Sequence, residues 1–372
     1  MERAYLDHNA TSPLRPEVKE AMMEAMGHVG NPNSTHTSGR RIRQLIDEAR
    51  ESVAALVDVS EAEVVFTSGG TEANHLAWRA FQKPGISIAT STVEHACVLA
   101  AADVAVKSGA TLRSFTVSQD GTMDTSLSTP MEFISVQYAN NETGIIYPVF
   151  SLEKGKALLH TDAVQAAGKI AFSMKNSNVD MLSLSGHKLG APQGVGALIR
   201  RKRTTFENIW EGGPQEKGRR PGTENVLGII GLGAAARVLL ETREQEFTKI
   251  TELRNHLEQQ LLDEIEGCKV TGQGLLRLPN TSHMMFDDLD GESLMIAADL
   301  AGIDCSTGAA CSSGSLETSH VLRAMGYSDA EAKGSIRFSL GWSTTEQEIE
   351  KVVECFPKLV EQVRRKRERM KK

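Results

Sequence analysis

Residues Asp180 to Gln193 read DMLSLSGHKLGAPQ. Met181, Leu182 and Leu184 form a short apolar strand that runs into Ser185, Gly186, His187 and Lys188, and a Gly/Pro loop then ends regular structure. One lysine therefore sits at the mouth of a strand among small, hydrogen-bonding neighbours. An amine partly shielded from water loses its proton more readily and becomes the nucleophile that Schiff-base chemistry requires. The same residues fit an ordinary surface lysine equally well. The weight shifts with Leu158 to Asp162 (LLHTD), a second strand leading to an acid, with Gln165 three residues on. An acid at a strand's carboxyl end beside such a lysine suits pyridoxal phosphate, whose ring nitrogen must be kept protonated.

The chain has 372 residues, 40% hydrophobic and 24% charged, with a formal net charge of −7. That length suits two domains or one large α/β unit with a substantial core. The acidic balance gives no basis for nucleic-acid binding. Cys97, Cys268, Cys305, Cys311 and Cys355 are scattered, with no CxxC, so neither a disulfide framework nor a zinc ribbon is expected. A reducing compartment fits best. The N-terminal MERAYLDHNATSP lacks the apolar core of a signal peptide, and no run of about 18 apolar residues occurs. The expected location is cytoplasmic, away from membranes.

Working outward, Pro16 opens a helix and Arg40 to Leu56 reads as an amphipathic one. Between them GNPNSTHTSGR, with Asn31, Asn33, Ser34 and His36, is a linker or a functional loop. Val64 to Thr67 is a buried strand that Ser68-Gly69-Gly70-Thr71-Glu72 turns into a helix running to about Phe81. Such a turn is an anion site, because free backbone N–H groups and the helix dipole both favour a phosphate. No GK[ST] follows, so it is not a Walker loop, and tight strand-to-helix packing would also explain the glycines. Ile86 to Thr90 leads to His95 at another strand end, either beside the cofactor or as a capping or core histidine. Phe133 to Tyr138, followed by Asn140, Asn141 and Glu142, and Val195 to Ile199 complete the series. Strands alternating with helices, with polar residues at strand ends, predict a mostly parallel central sheet covered by helices, with function along its carboxyl edge.

Beyond the sheet, a Gly-rich loop from Gly212 to Asn225 carries Arg219 and Arg220. A long helix to about Glu266, with Ile250, Leu253, Leu257, Leu261 and Ile265 in heptad-like spacing, reads as a spine joining two domains. Strands at Thr281 to Phe286 and Ser335 to Leu340 then alternate with helices at Glu292 to Leu300 and from Thr345. The closing RRKRERMKK reads as a solvated helix end. Cys311 lies among Gly, Ala and Ser, a composition that packs no core, so its thiol is expected to be accessible. Cys305, in more apolar surroundings, reads as buried and inert. Arg337 is a charge in the buried-looking strand SIRFSLG and requires a partner, of which a substrate carboxylate is one.

YLDHNATSP, GNPNSTH, FTSGGTEANHLA, VEHACVL, NNETG, TDAVQAAGK, SGHKLGAPQGVGAL, RPGTENV, STGAACSSGSLETSHVLRAMG and SIRFSLG together cover almost the whole chain. In that order the sequence resembles the pyridoxal-phosphate-dependent cysteine desulfurases of the NifS/IscS kind, within the class-V aminotransferases. The resemblance implies an aminotransferase-like fold of type I, with a large cofactor-binding domain over residues 14–250. A small α+β domain, residues 1–13 and 251–372, would carry the cysteine loop. It implies a homodimer converting L-cysteine to L-alanine and leaving sulfur as a persulfide on Cys311. Lys188 would hold the cofactor covalently, Asp162 would face its ring nitrogen, and His95 would stack on the ring and move protons. Gln165 and Asn141 would touch its phenolic side and the substrate. Gly70, Thr71, Ser185 and His187 would hold the phosphate, with Thr223 reaching it from the other protomer. Arg337 would grip the substrate carboxylate, helped by Asn33. No resident metal is implied, Cys311 being at most a transient iron–sulfur ligand. An iron–sulfur scaffold or other sulfur acceptor would be the protein partner.

The chain departs from the family where Gly121 to Met131 and Val149 to Ala157 are short, where Cys305 replaces a small non-thiol residue, and where it stops at RRKRERMKK without the longer tail of relatives. The last departure bears on scaffold docking. Two other readings fit the same residues, a selenocysteine lyase or related lyase of this fold, and a catalytically silent sulfur-relay subunit.

Overall fold

The computed structural model describes residues 3–202, 204, 206–307 and 318–371; Cys311 lies outside them. The elements follow one another as β1 (Ala4–Tyr5), α1 (Pro16–Met26), α2 (Thr37–Leu56), β2 (Val64–Thr67), α3 (Gly70–Trp78), β3 (Ser87–Ser91), α4 (Ala96–Lys107), β4 (Thr111–Phe115) and β5 (Phe133–Ser135). Then come β6 (Leu158–Asp162), β7 (Met181–Ser185), β8 (Gly196–Arg200), α5 (Val226–Glu264), β9 (Cys268–Val270), β10 (Thr281–Phe286) and α6 (Gly291–Leu300). The chain ends with β11 (Ile303–Asp304), α7 (His320–Ala324), α8 (Asp329–Lys333), β12 (Ser335–Ser339) and α9 (Glu346–Lys371).

Among the described residues, the central sheet has the order β2-β8-β7-β6-β5-β3-β4. Only β8 runs antiparallel to its neighbours. The sheet is mostly parallel, as the alternation of strands and helices predicts. Every residue of β2, β5 and β7 is buried, which follows from helices covering both faces. β4 escapes the sequence reading because Thr111, Arg113 and Ser114 are exposed on this edge strand, which leaves too little apolar pattern to detect. Val149 to Ala157 contains one short 3₁₀ turn in place of a full helix.

α5 joins two hydrophobic cores. Its first half buries Ile229, Leu232, Ala235 and Leu239 against the helices and sheet of the large core. Gly233 is required there, since a Cβ would lie 2.5 Å from Ala49 Cα and push α2 away from α5. Its second half buries Ile250, Leu253, Leu257 and Leu261 with Met284, Phe338 and Phe356 in a separate core. That core lines an antiparallel sheet of order β12-β10-β9, beside the parallel pair β1 and β11.

Residues 4–15 stitch these regions together. Ser339 donates its backbone N–H to Leu6 and accepts from His8, whereas Ser12 and Arg15 donate theirs to His187 and Gly190 beyond β7. Arg15 then pairs with Glu246 on α5 through both terminal nitrogens, at 2.8 and 2.7 Å. No helix among the described residues is long and apolar enough to cross a membrane.

Candidate active site

The carboxyl ends of β6 and β7 open on a cavity of about 530 Å³. β6 ends in Asp162, and β7 passes through Ser185 into a 3₁₀ turn, Gly186–Lys188. The two strands are hydrogen-bonded neighbours, so an acid and a lysine meet at one sheet edge because parallel strands bring their carboxyl ends together. Asp162 accepts from Asn74 Nδ2 at 2.7 Å and from the backbone of Val164 at 2.9 Å. Lys188 donates to the carbonyls of Asn9 and Ala10.

β2 delivers the glycine turn. Ala73 N makes the first intrahelical bond of α3, to Gly69 O, so the N–H groups of Gly70 and Thr71 precede it and have no helical acceptor. A Cβ on Gly70 would lie 2.7 Å from Val164 Cγ2, so only glycine lets this turn close on the β6 loop. Glu72, an acid at a helix start meant for anions, is neutralised by Arg220 at 2.8 Å, and its pKa is lowered. Ser185 and His187 line the same end of the cavity. Burial and the adjacent Lys188 push His187 down to about 4, which keeps its ring neutral at pH 7.

His95 caps α4. The backbone N–H of Cys97 donates to His95 Nδ1 at 3.2 Å, so Nδ1 is an acceptor and the neutral ring carries its proton on Nε2. The Cys97 thiol lies 3.0 Å from the same nitrogen. The preceding Glu94 is fully buried, takes hydrogen bonds from Ser91 Oγ and Gln137 N, and is pushed up to about 8 by that burial.

The opposite wall comes from the N-terminal segment and β12. Arg337 donates to Asp7 Oδ1 at 2.7 Å and to Asn141 O at 3.0 Å. The arginine thus has an internal partner already, while its Nε is buried without one. Gln165 donates to Asn9 O at 3.0 Å.

The structure brings Gly70, Thr71, His95, Asn141, Asp162, Gln165, Ser185, His187, Lys188 and Arg337 onto this one cavity. Two expected residues stand apart. Thr223 lines a smaller cavity of about 120 Å³ that shares Ser68 and Gly194 with the large one. Asn33 donates to Glu224 and accepts from Arg43 Nη2. Cys311 lies outside the described residues. Asp7, Asn9, Asn74, Gln137 and Cys97 belong to the site in space without having been singled out in sequence. Their signal was present, since Asp7 and Asn9 sit in YLDHNATSP and Cys97 in VEHACVL, but nothing local says that those stretches meet.

The sequence model of the class-V aminotransferases matches residues 4–352. The chain is 45% identical to a cysteine desulfurase of Trichormus azollae, covering 97% of this chain and 93% of that one. It is 40% identical to the cysteine desulfurase NifS of Azotobacter vinelandii, covering 98% and 94%. The chain belongs to the class-V aminotransferase family. In three dimensions it matches a NifS-like protein from Rickettsia africae ESF-5 with a TM-score of 0.89 at 32% identity, over 97% of this chain and all of that one. This branch of the class-V aminotransferases depends on pyridoxal phosphate, and the cavity suits it. The free N–H groups at α3 suit a phosphate, Asp162 a cationic ring nitrogen and Lys188 an aldehyde. Asn74 Oδ1 and Arg337 Nε are buried polar atoms left without partners on the cavity's residues, as expected where a polar group completes the site.

Proposed function

We propose that the protein is a cysteine desulfurase, converting L-cysteine to L-alanine and holding the sulfur as a persulfide on Cys311. The observation that carries this reading is the meeting of Lys188 and Asp162 at adjacent strand ends, with Arg337 across the same cavity. Bound pyridoxal phosphate would supply an electron sink that acidifies the substrate Cα and loosens the bond between Cβ and sulfur.

Lys188 is the point of covalent attachment, Asp162 holds the proton on the ring nitrogen, and Gly70, Thr71, Ser185 and His187 hold the phosphate. His95 exchanges its proton at Nε2, since Nδ1 is committed to capping α4. Gln165 and Asn141 orient the phenolic side and the substrate. Arg337 receives the substrate carboxylate through the donors that Asp7 and Asn141 leave over. The Cys311 thiolate attacks the substrate sulfur as the carbon–sulfur bond breaks, and the carbon skeleton takes up a proton to leave as alanine. Thr223 completes the phosphate site of the other protomer of a homodimer. The large domain, residues 14–250, carries the cofactor, and residues 1–13 and 251–372 carry the sulfur loop. The sulfur passes to an iron–sulfur scaffold or another acceptor protein in the cytoplasm.

Incubating the pure protein with pyridoxal phosphate, L-cysteine and a reductant, then assaying alanine and sulfide together, tests the reading. Equal amounts of both are expected. Alanine without sulfide, or neither product, would refute it.

A further inference from the structure

Lys169 has no part in the chemistry above, yet it is buried in the wall behind the cavity, 7% exposed. No carboxylate pairs with it among the described ion pairs. Its Nζ instead donates 2.8 Å bonds to two side-chain amide oxygens, Asn9 Oδ1 and Gln165 Oε1. Burial and the nearby cations Lys188 and Arg337 hold its pKa well below that of an ordinary lysine. The two bonds require only two N–H groups, so the arrangement stands whether the amine is charged or neutral.

The surroundings fix which way each amide faces. Asn9 Oδ1 also accepts from Asn280 Nδ2, and Asn9 Nδ2 donates to Thr281 Oγ1 and to Asn141 O. Turning Asn9 over would set donors against donors at Lys169 and Asn280, and an oxygen against the carbonyl of Asn141 on the other side. Lys169 is therefore held by an acceptor that cannot reverse, and from there it claims Gln165 Oε1. Gln165 Nε2 must then face the other way, where it gives one hydrogen to Asn9 O and has one left. Gln165 lines the cavity.

We infer that Lys169 is a positioning residue that locks the Gln165 amide with its N–H side, never its carbonyl, toward the cavity, so that the site offers a donor to an oxygen acceptor bound there. The inference rests on the proposed function for the identity of that acceptor, the phenolic oxygen of pyridoxal phosphate. Without Lys169 only the bond from Nε2 to Asn9 O still favours this orientation, and Oε1 loses its donor, so the amide turns over more readily and presents an oxygen that repels the bound one. A lost hydrogen bond of this kind costs about tenfold in affinity.

The test is a double-mutant cycle read by binding and by absorbance, not by turnover. Apoprotein of wild type, Lys169→Met, Gln165→Leu and the double variant is titrated with pyridoxal phosphate, with thermal unfolding as the check on folding. Lys169→Met is expected to weaken binding by about tenfold and to shift the cofactor band above roughly 400 nm, as Gln165→Leu does. The double variant should be no worse than Gln165→Leu, because Lys169 acts only through that amide. An unchanged band and affinity in Lys169→Met, or fully additive losses in the double variant, would overturn the inference. If Lys169→Met does not fold, Lys169→Gln serves, since it keeps an N–H for Gln165. It should bind within about threefold of wild type, and a folded Lys169→Gln protein that behaves like Gln165→Leu overturns the inference equally. Wild-type protein that binds no pyridoxal phosphate would overturn the proposed function itself, whereas normal wild-type binding with unaltered variants removes only the role of Lys169.

Discussion

On one side of the cavity, Asp162 and Lys188 ride on the ends of neighbouring parallel strands, and Gly70 and His95 start helices that follow β2 and β3. On the other side, Asp7 reaches Arg337 across 330 residues of sequence, and Asn9 is held by Asn280, Thr281 and Ser339. The first wall is set by local rules, in which each strand ends and the next few residues point out of the sheet edge. The second exists only after the small core has formed and the N-terminal segment has been laid across it. The groups suited to bond-making occupy the first wall, and Arg337, the residue proposed to receive the carboxylate, occupies the second. On the proposed function, chemistry and substrate grip are divided between the sheet edge and a surface assembled over long range.

The largest effects should come from the first wall. Lys188→Ala is expected to abolish turnover and any borohydride-reducible attachment of the cofactor. Some pyridoxal phosphate should remain bound, because the N–H groups of Gly70 and Thr71 are untouched. Peptide mapping after borohydride reduction of the wild type checks this, and label on a lysine other than Lys188 would remove the assignment.

Next comes Asp162→Asn, expected to lower kcat by roughly 10²-fold or more while changing stability by only about 1 kcal/mol. The asymmetry has a structural reason. The new amide would keep its oxygen on Val164 N and turn its NH₂ toward Asn74, whose Oδ1 is buried without a partner and can rotate to accept it. Losing the carboxylate therefore adds no orphaned group, since Asn74 only exchanges which of its amide atoms lacks a partner, and leaves a ring nitrogen without its counter-charge. Urea unfolding alongside steady-state rates separates the two effects, and near-normal turnover would mean that the acid has been misassigned.

On the second wall, Arg337→Lys should raise KM for L-cysteine about tenfold and alter kcat much less. A lysine cannot hold Asp7 and Asn141 O together and still present a fork to a carboxylate. A fall in kcat at constant KM would place Arg337 in the chemistry and dissolve the division between the walls.

The same division governs what was legible in the sequence. β6, β7 and the glycine turn into α3 announce themselves by apolar runs that stop at polar residues, and the sheet edge follows from them with its lysine, acid and histidine. The second wall is legible only in part. Arg337 was seen to need a partner, but a sequence does not say that Asp7 will be that partner, because a salt bridge between β12 and the N-terminal segment has no local signature. Lys169 stood in TDAVQAAGK with nothing to mark it as buried. β4 was missed because an exposed edge strand has no apolar face to display.

The smallest expected effect belongs to Cys305→Ala, which tests whether a thiol of the small core shares in sulfur handling. Cys305 packs against that core next to β11, and burial, followed by the charges of Asp7 and Asp304, pushes its thiol up to about 12. At neutral pH almost none of it is thiolate, the form required for attack on sulfur. Sulfide release by Cys305→Ala should therefore stay within about twofold of wild type, with stability lowered by roughly 1 kcal/mol from lost packing. The sign of its pH effect can be stated as well. The folded pKa is raised, so the unfolded chain releases this proton first, and stability is lost as pH climbs from the ordinary thiol range toward about 12. Cys305→Ala should soften that alkaline loss and leave the acid side unchanged. Mass spectrometry of protein treated with L-cysteine decides the point, because persulfide sulfur found on Cys305 would mean that the small core, and not only the loop of Cys311, takes part in sulfur transfer.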